Sequence, residues 1–118
     1  MSELGNGFVR SILSADAVGF SKLVSKHEYE TLASLKQCVD IISEVIESSS
    51  GRIFHSAGDS VFAEFNNSDA ALEAAIQIQK RLMDYNQRTK LQKLTFRIGL
   101  DTGDVFADSE NLLGEAVN

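Results

Sequence analysis

Proline is absent from the chain, cysteine occurs once and histidine twice among 118 residues. With no proline, breaks between elements fall to Gly, Asn, Asp and Ser. The lone Cys38 excludes an internal disulfide framework and a thiolate zinc cage. No apolar run approaches the roughly 18 residues that a helix needs to span a bilayer. Met1 to Gly7 has neither the basic start nor the apolar stretch of a signal peptide. Positive charge is scarce too: eleven Lys and Arg against seventeen Asp and Glu leave −6. A pI near 4.8 argues against a nucleic-acid partner, because neutralising phosphates needs a basic face. It leaves a nucleotide site open, since a few metal-held charges act locally. The expectation is a soluble, cytoplasmic domain.

What is present is ordinary globular composition, 43% apolar and 24% charged. The length allows one domain, with a core that needs no disulfides. Met1–Gly7 reads as a disordered lead, and the domain as residues 8–118. Phe8–Ala15 reads as a strand and Val18–Lys26 as a turn or short helix. Ser25 and Glu28 have capping-box spacing. Leu32, Leu35, Val39, Ile42 and Ile46 then recur at helical steps, predicting one buried stripe. Ser48–Gly51 should end that helix. Arg52–Ser56 and Ser60–Phe65 flank Ala57-Gly58-Asp59 and read as a hairpin. Asn66–Asp69 starts a second helix with Ala71, Ala75, Ile78, Leu82 and Tyr85 on one face. Leu94, Phe96, Ile98 and Leu100 alternate as a half-buried strand. Asp101–Asp104 reads as a turn, Val105–Ala107 as a short returning strand and Asp108–Asn118 as a polar end.

The order is βαββαβ, so the predicted fold is α+β, a ferredoxin-like sheet with two helices on one face. That topology makes the first and third strands antiparallel neighbours. Asp16 ends the first and Asp59 opens the third, so the two carboxylates should converge. Close carboxylates repel unless a proton or cation lies between them. Oxygen ligands of this kind suit Mg²⁺, which takes one or two carboxylates plus phosphates and waters. Ala17-Val18-Gly19-Phe20-Ser21 follows Asp16, and a glycine turn entering a helix lets backbone N–H groups face an anion. Each piece alone is commonplace; an Asp at a strand end is usually a turn former. Cys38 reads as a small buried hydrophobe, His27 as solvated, Asp101 and Asp104 as turn residues. Ser21 has no histidine at motif spacing and is not read as a nucleophile.

With those residues in register, the sequence resembles the class III nucleotidyl cyclase catalytic domain, the adenylate/guanylate cyclase family. The resemblance is carried by Ile12-Leu13-Ser14-Ala15-Asp16-Ala17-Val18-Gly19-Phe20-Ser21, then Gly58-Asp59, then Phe96-Arg97-Ile98-Gly99-Leu100 with Gly103. Leu113-Gly114-Glu115-Ala116-Val117-Asn118 closes it. It covers Phe8 to Asn118, the N-terminal two-thirds of such a domain. Diguanylate cyclases share the topology, but their Gly-Gly-(Asp/Glu)-Glu-Phe turn is replaced by Ala57-Gly58-Asp59.

The resemblance implies that Asp16, Asp59 and the Ala17 carbonyl hold two Mg²⁺ or Mn²⁺ ions. Val18, Gly19, Phe20 and Ser21 would cradle the triphosphate of ATP or GTP. The ribose 3′-hydroxyl would attack the α-phosphorus, with pyrophosphate leaving. Sites of this family form between two chains, which implies a homodimer or a cyclase-domain partner. His55 stands where the family has an adenine-reading lysine, and Asn111 where it has an aspartate. Imidazole and amide groups can each donate or accept; ATP is favoured because His55 keeps a donor. Asn118 resembles the ribose-orienting asparagine and ends the chain. The transition-state arginine would come four positions later. Two rivals stand beside this reading: a catalytically incompetent cyclase relative acting as a nucleotide- and metal-binding regulatory module, and a plain ferredoxin-like interaction domain.

The 118-residue chain is therefore expected to bind metal and triphosphate but to turn over slowly. Removing one preorganised donor costs about 10²–10³ in rate, and an arginine finger is worth about 10³–10⁵. Cyclic nucleotide formation with excess Mn²⁺, beside calorimetric triphosphate binding, checks this. Robust turnover by the chain alone overturns it.

Overall fold

The computed structural model describes residues 7–108 and 111–114, with side chains described over 10–103. The elements are β1 (Gly7–Ala17), α1 (Phe20–Lys26), α2 (Glu28–Ser48), β2 (Arg52–Ala57), β3 (Ser60–Phe65), α3 (Ser68–Arg88), β4 (Phe96–Asp108) and β5 (Asn111–Gly114). The sheet order is β2-β3-β1-β4-β5 and every pairing is antiparallel. The first four strands in that order, with α2 and α3, make the ferredoxin-like βαββαβ arrangement. Gly7, expected in the lead, opens β1, while Met1–Asn6 lie outside the described residues.

One sheet face carries the core. Leu13, Ala15 and Ala17 of β1 line up with Val61, Ala63 and Phe65 of β3 and Phe96 of β4. Cys38, Ile42, Val45 and Ile46 of α2, and Ala71, Ala74, Ile78 and Leu82 of α3, pack onto them. Small alanines on both sides let the helices sit close to the sheet. No helix among the described residues is long and apolar enough to cross a membrane.

Several local expectations hold. Asn67 caps α3, its Oδ1 accepting the Ala70 N–H at 2.8 Å. The two-residue loop Gly58-Asp59 joins β2 to β3 with φ 56° at Gly58, a conformation that costs glycine nothing. At the end of α2, Ser50 takes the positive φ (64°), while a Cβ at Gly51 would run into the buried Phe65 ring. Glycine is thus required one residue later than a C-cap rule suggests, for close approach rather than for φ.

Three expectations need amending. Ser25 makes no capping box: it lies inside α1, and α2 begins after His27 without a side-chain cap. The expected α2 stripe holds at Ile42 and Ile46 and, partly buried, at Leu35 and Val39, but Leu32 is 45% exposed, and Thr31, Ser34, Cys38 and Val45 are buried as well. Two hydroxyl residues face inward because their polar atoms are satisfied there. Thr31 Oγ1 donates to the Leu23 carbonyl (3.2 Å), and Ser34 Oγ bonds the Tyr85 hydroxyl (2.8 Å) and the Gln92 carbonyl. Finally, Asp101–Asp104 is not a turn. β4 runs unbroken because Asp101, Thr102, Gly103 and Asp104 pair with Ile12, Ser11, Arg10 and Val9 of β1. A Ser11–Thr102 hydroxyl bond of 2.9 Å ties the two strands there. The returning strand is β5, within the segment read as a polar end.

Replacing Ser34 by Ala should lower stability by about 1–3 kcal/mol, since buried polar partners are left unmatched; chemical denaturation measures it. Burial pushes the Cys38 thiol up to about 11, against a smaller opposing effect of its hydrogen bond with Ser34. A raised folded-state pKa gives stability that is whole below the unfolded thiol's value, about 8.5, and is lost as pH rises through the folded one. Cys38 should therefore resist a thiol reagent at pH 8 in the folded protein and react once urea unfolds it.

Candidate functional site

Strand pairing brings the two sequence-predicted carboxylates together. Asp16 pairs with Ser60 of β3 on one side and Arg97 of β4 on the other. Asp59 immediately precedes Ser60 in the β2–β3 loop. Its Oδ2 accepts the Ala17 N–H at 3.2 Å, which fixes the loop against the end of β1. Alternation sends Ala15 and Ala17 into the core and Asp16 to the opposite, helix-free face. The Asp16 side chain is 39% exposed and accessible to solvent.

The segment after Asp16 is shaped by two constraints. Val18 donates its N–H to the Thr95 carbonyl at 2.8 Å, so that donor is committed. Gly19 then adopts φ 62° and starts α1, which has no side-chain cap and no acidic residue in its first turn. First-turn N–H groups have no acceptor within their own helix, so those of Gly19, Phe20 and Ser21 are not used inside α1, the helix that follows the Asp16 end of β1.

His55 reaches the same face through a β-bulge. Arg52 pairs with Glu64 and Ile53 with Ala63, but the next pair is His55 with Phe62. Phe54 is the extra residue. One inserted residue reverses every side chain beyond it, so His55 joins the face of Ser14 and Asp16. Its ring lies 5.9 Å from that of Phe62, and Phe54 lies 6.2 Å from the same ring. Asn111 pairs with Asp108, at the opposite end of β4 from Arg97. Its strand comes within 8 Å of β2, the strand of His55. Asn118 lies outside the described residues.

Two features of this face escaped the sequence reading. Arg97 donates through Nη2 to Asp16 Oδ2 at 2.8 Å. Its pKa is raised, first by that hydrogen bond, then by the Asp16 charge and, less, by that of Asp59. The alternation of Phe96 and Ile98 already put Arg97 on the open face; only the strand order set it beside Asp16. Further along, Glu64 is gripped by Arg10 (2.9 Å) and Arg52. Ile12, directly across from Glu64, is only 2% exposed on this otherwise open face. An apolar groove between α3 and β4, lined by Leu72, Ile76, Met83, Ile98 and Leu100, belongs to the helix-covered side and not to this site.

Among the described residues no group of three or more His, Cys, Asp or Glu could hold a metal. Two carboxylates and a backbone carbonyl are hard oxygen donors. They fit an ion of the Mg²⁺ or Mn²⁺ type whose remaining ligands come from substrate and water. They do not fit a closed structural zinc site.

The fold has counterparts in known proteins. The family model described as the adenylate and guanylate cyclase catalytic domain matches residues 9–113, and the chain belongs to that family. A protein of Rhizobium meliloti (strain 1021) named "Putative adenylate cyclase 3" is 30% identical over 110 residues, 92% of this chain and 19% of that protein. The crystal structure of an adenylate/guanylate cyclase/hydrolase from Silicibacter pomeroyi is similar at 29% identity and TM-score 0.84, covering 95% of this chain and 66% of that one. A bacterial light-regulated adenylyl cyclase matches at 26% identity and TM-score 0.84, over 95% of this chain and 38% of that one. The chain thus spans about a fifth of the curated relative and less than two-thirds of either solved chain.

Proposed function

We propose that this domain converts a purine nucleoside triphosphate, ATP in preference to GTP, into its 3′,5′-cyclic monophosphate and pyrophosphate, for cyclic-nucleotide signalling in the cytoplasm. The observation that carries the reading is the meeting of Asp16 and Asp59 at one end of the sheet, in a chain of the cyclase family.

Asp16, Asp59 and the Ala17 carbonyl would hold Mg²⁺ or Mn²⁺. A pair of such ions, when bound, stabilises the attacking and leaving oxygens of an in-line displacement. The chain's own residues position the substrate around them. The N–H groups of Gly19, Phe20 and Ser21 receive triphosphate oxygens, with Val18 tying the turn to Thr95 rather than donating itself. Asp59 keeps the turn in place through its bond to Ala17. His55 and Asn111 are assigned to the purine, on strands that approach each other, and Asn118 to the ribose. The purine residues sit on strands other than those bearing the carboxylates. That separation supports a site completed by a second cyclase domain, a homodimer partner in the simplest case. The helix-free face with Phe54 and Phe62 is the surface available to it.

Mn²⁺ titrated into the protein should broaden NMR signals around Asp16, and Asp59→Ala should remove most of that broadening. Equal broadening in both proteins defeats the metal assignment. Product analysis with ATP and GTP then tests the reaction. Cyclic AMP in excess of cyclic GMP supports it, while triphosphate binding with no product points to the regulatory module instead.

A further inference from the structure

Before any divalent ion arrives, two carboxylates share one end of the sheet and repel each other. The structure answers that repulsion with a cation of its own. Arg97 lies directly across from Asp16 in the β1–β4 register and donates to Asp16 Oδ2 at 2.8 Å. Asp59 is tied by its own Oδ2 to the Ala17 N–H. Among the described residues, neither Asp16 Oδ1 nor Asp59 Oδ1 has a hydrogen-bond partner. Each carboxylate therefore keeps one oxygen for an incoming ion while its other oxygen is held.

We propose that Arg97 is the resident counter-ion of the metal-free carboxylate pair and gives up Asp16 when a divalent ion enters. The proposal rests on the metal reading of Asp16 and Asp59 and adds a competitor to it. A guanidinium this close to Asp16 repels a dication at the same carboxylate, so the ion's affinity includes the cost of moving Arg97. The movement is easy. The Arg97 side chain is 71% exposed, and Asp16 is its sole hydrogen-bond partner among the described residues. Its backbone stays locked in β4 throughout. An exposed pair of this kind is a weak latch, so it tunes affinity without blocking the site.

The test is Mn²⁺ binding without nucleotide, read from the EPR signal of free Mn²⁺, for wild type, Arg97→Gln, Arg97→Lys and Asp59→Ala. Arg97→Gln should bind Mn²⁺ about two- to fivefold more tightly than wild type. Arg97→Lys keeps the charge and should stay near wild type. A backbone NMR spectrum of each variant establishes that the fold is intact. In wild type, added Mg²⁺ should shift the Arg97 guanidinium resonances, and Asp16→Ala should abolish that shift. Equal or weaker Mn²⁺ binding by Arg97→Gln, with binding still lost in Asp59→Ala, overturns the counter-ion role and leaves the metal site standing. Absence of Mn²⁺ binding in wild type and every variant overturns the metal reading, and the counter-ion role with it.

Discussion

The central position of β1 is the constraint from which the rest of the arrangement follows. It pairs with β3 along one edge and with β4 along the whole of the other. One face of the same strand supplies Leu13, Ala15 and Ala17 to the core. The other carries Ser14 and Asp16 into the open. A strand hydrogen-bonded on both sides has no freedom to slip, because a one-residue slip would exchange those two sets of side chains. The core and the carboxylate site are therefore two faces of one pairing. Loss of apolar contact beneath Ala15 and Ala17 would loosen Asp16 as surely as a change beside it.

On the open face, charge is organised in two clusters. Asp16, Asp59 and Arg97 sit at the end where β1 gives way to α1. Glu64 with Arg10 and Arg52 sits further back. The second cluster, two guanidiniums around one largely buried carboxylate, lies across from Ile12 and covers it. In the first, one guanidinium faces two carboxylates, leaving negative charge uncompensated. Negative charge beside a helix start whose Gly19, Phe20 and Ser21 N–H groups have no acceptor within α1 suits the ion and the polyphosphate of the proposed function. That pairing of opposite needs is why the family match and the geometry lead to the same reading.

Much of this was visible in the residues themselves. The helices, the β2–β3 hairpin and the convergence of Asp16 with Asp59 follow from periodicity, from Gly58-Asp59 and from the βαββαβ order. What was misread shares one cause. Ser34 and Thr31 look like solvent-facing positions until Tyr85, Gln92 and Leu23 are placed beside them. Asp101-Thr102-Gly103-Asp104 has turn composition, yet β1 offers it a continuous ladder, and pairing outweighs local preference. His55 shares the face of Asp16 only because Phe54 is bulged, which alternation along β2 alone would deny.

The sequence by itself determined which segments bury an apolar face, where the chain must turn, and that two aspartates end adjacent strands. Those are local properties, set by side-chain period and backbone preference. The tertiary structure alone decided that Arg97 stands beside Asp16, that Val18 is already engaged by Thr95, and that β4 continues past Leu100. Each of these depends on contact between residues far apart in the chain. Local propensity is silent about such partners, since a strand acquires its neighbours, and so its charge environment, only when the sheet closes around it.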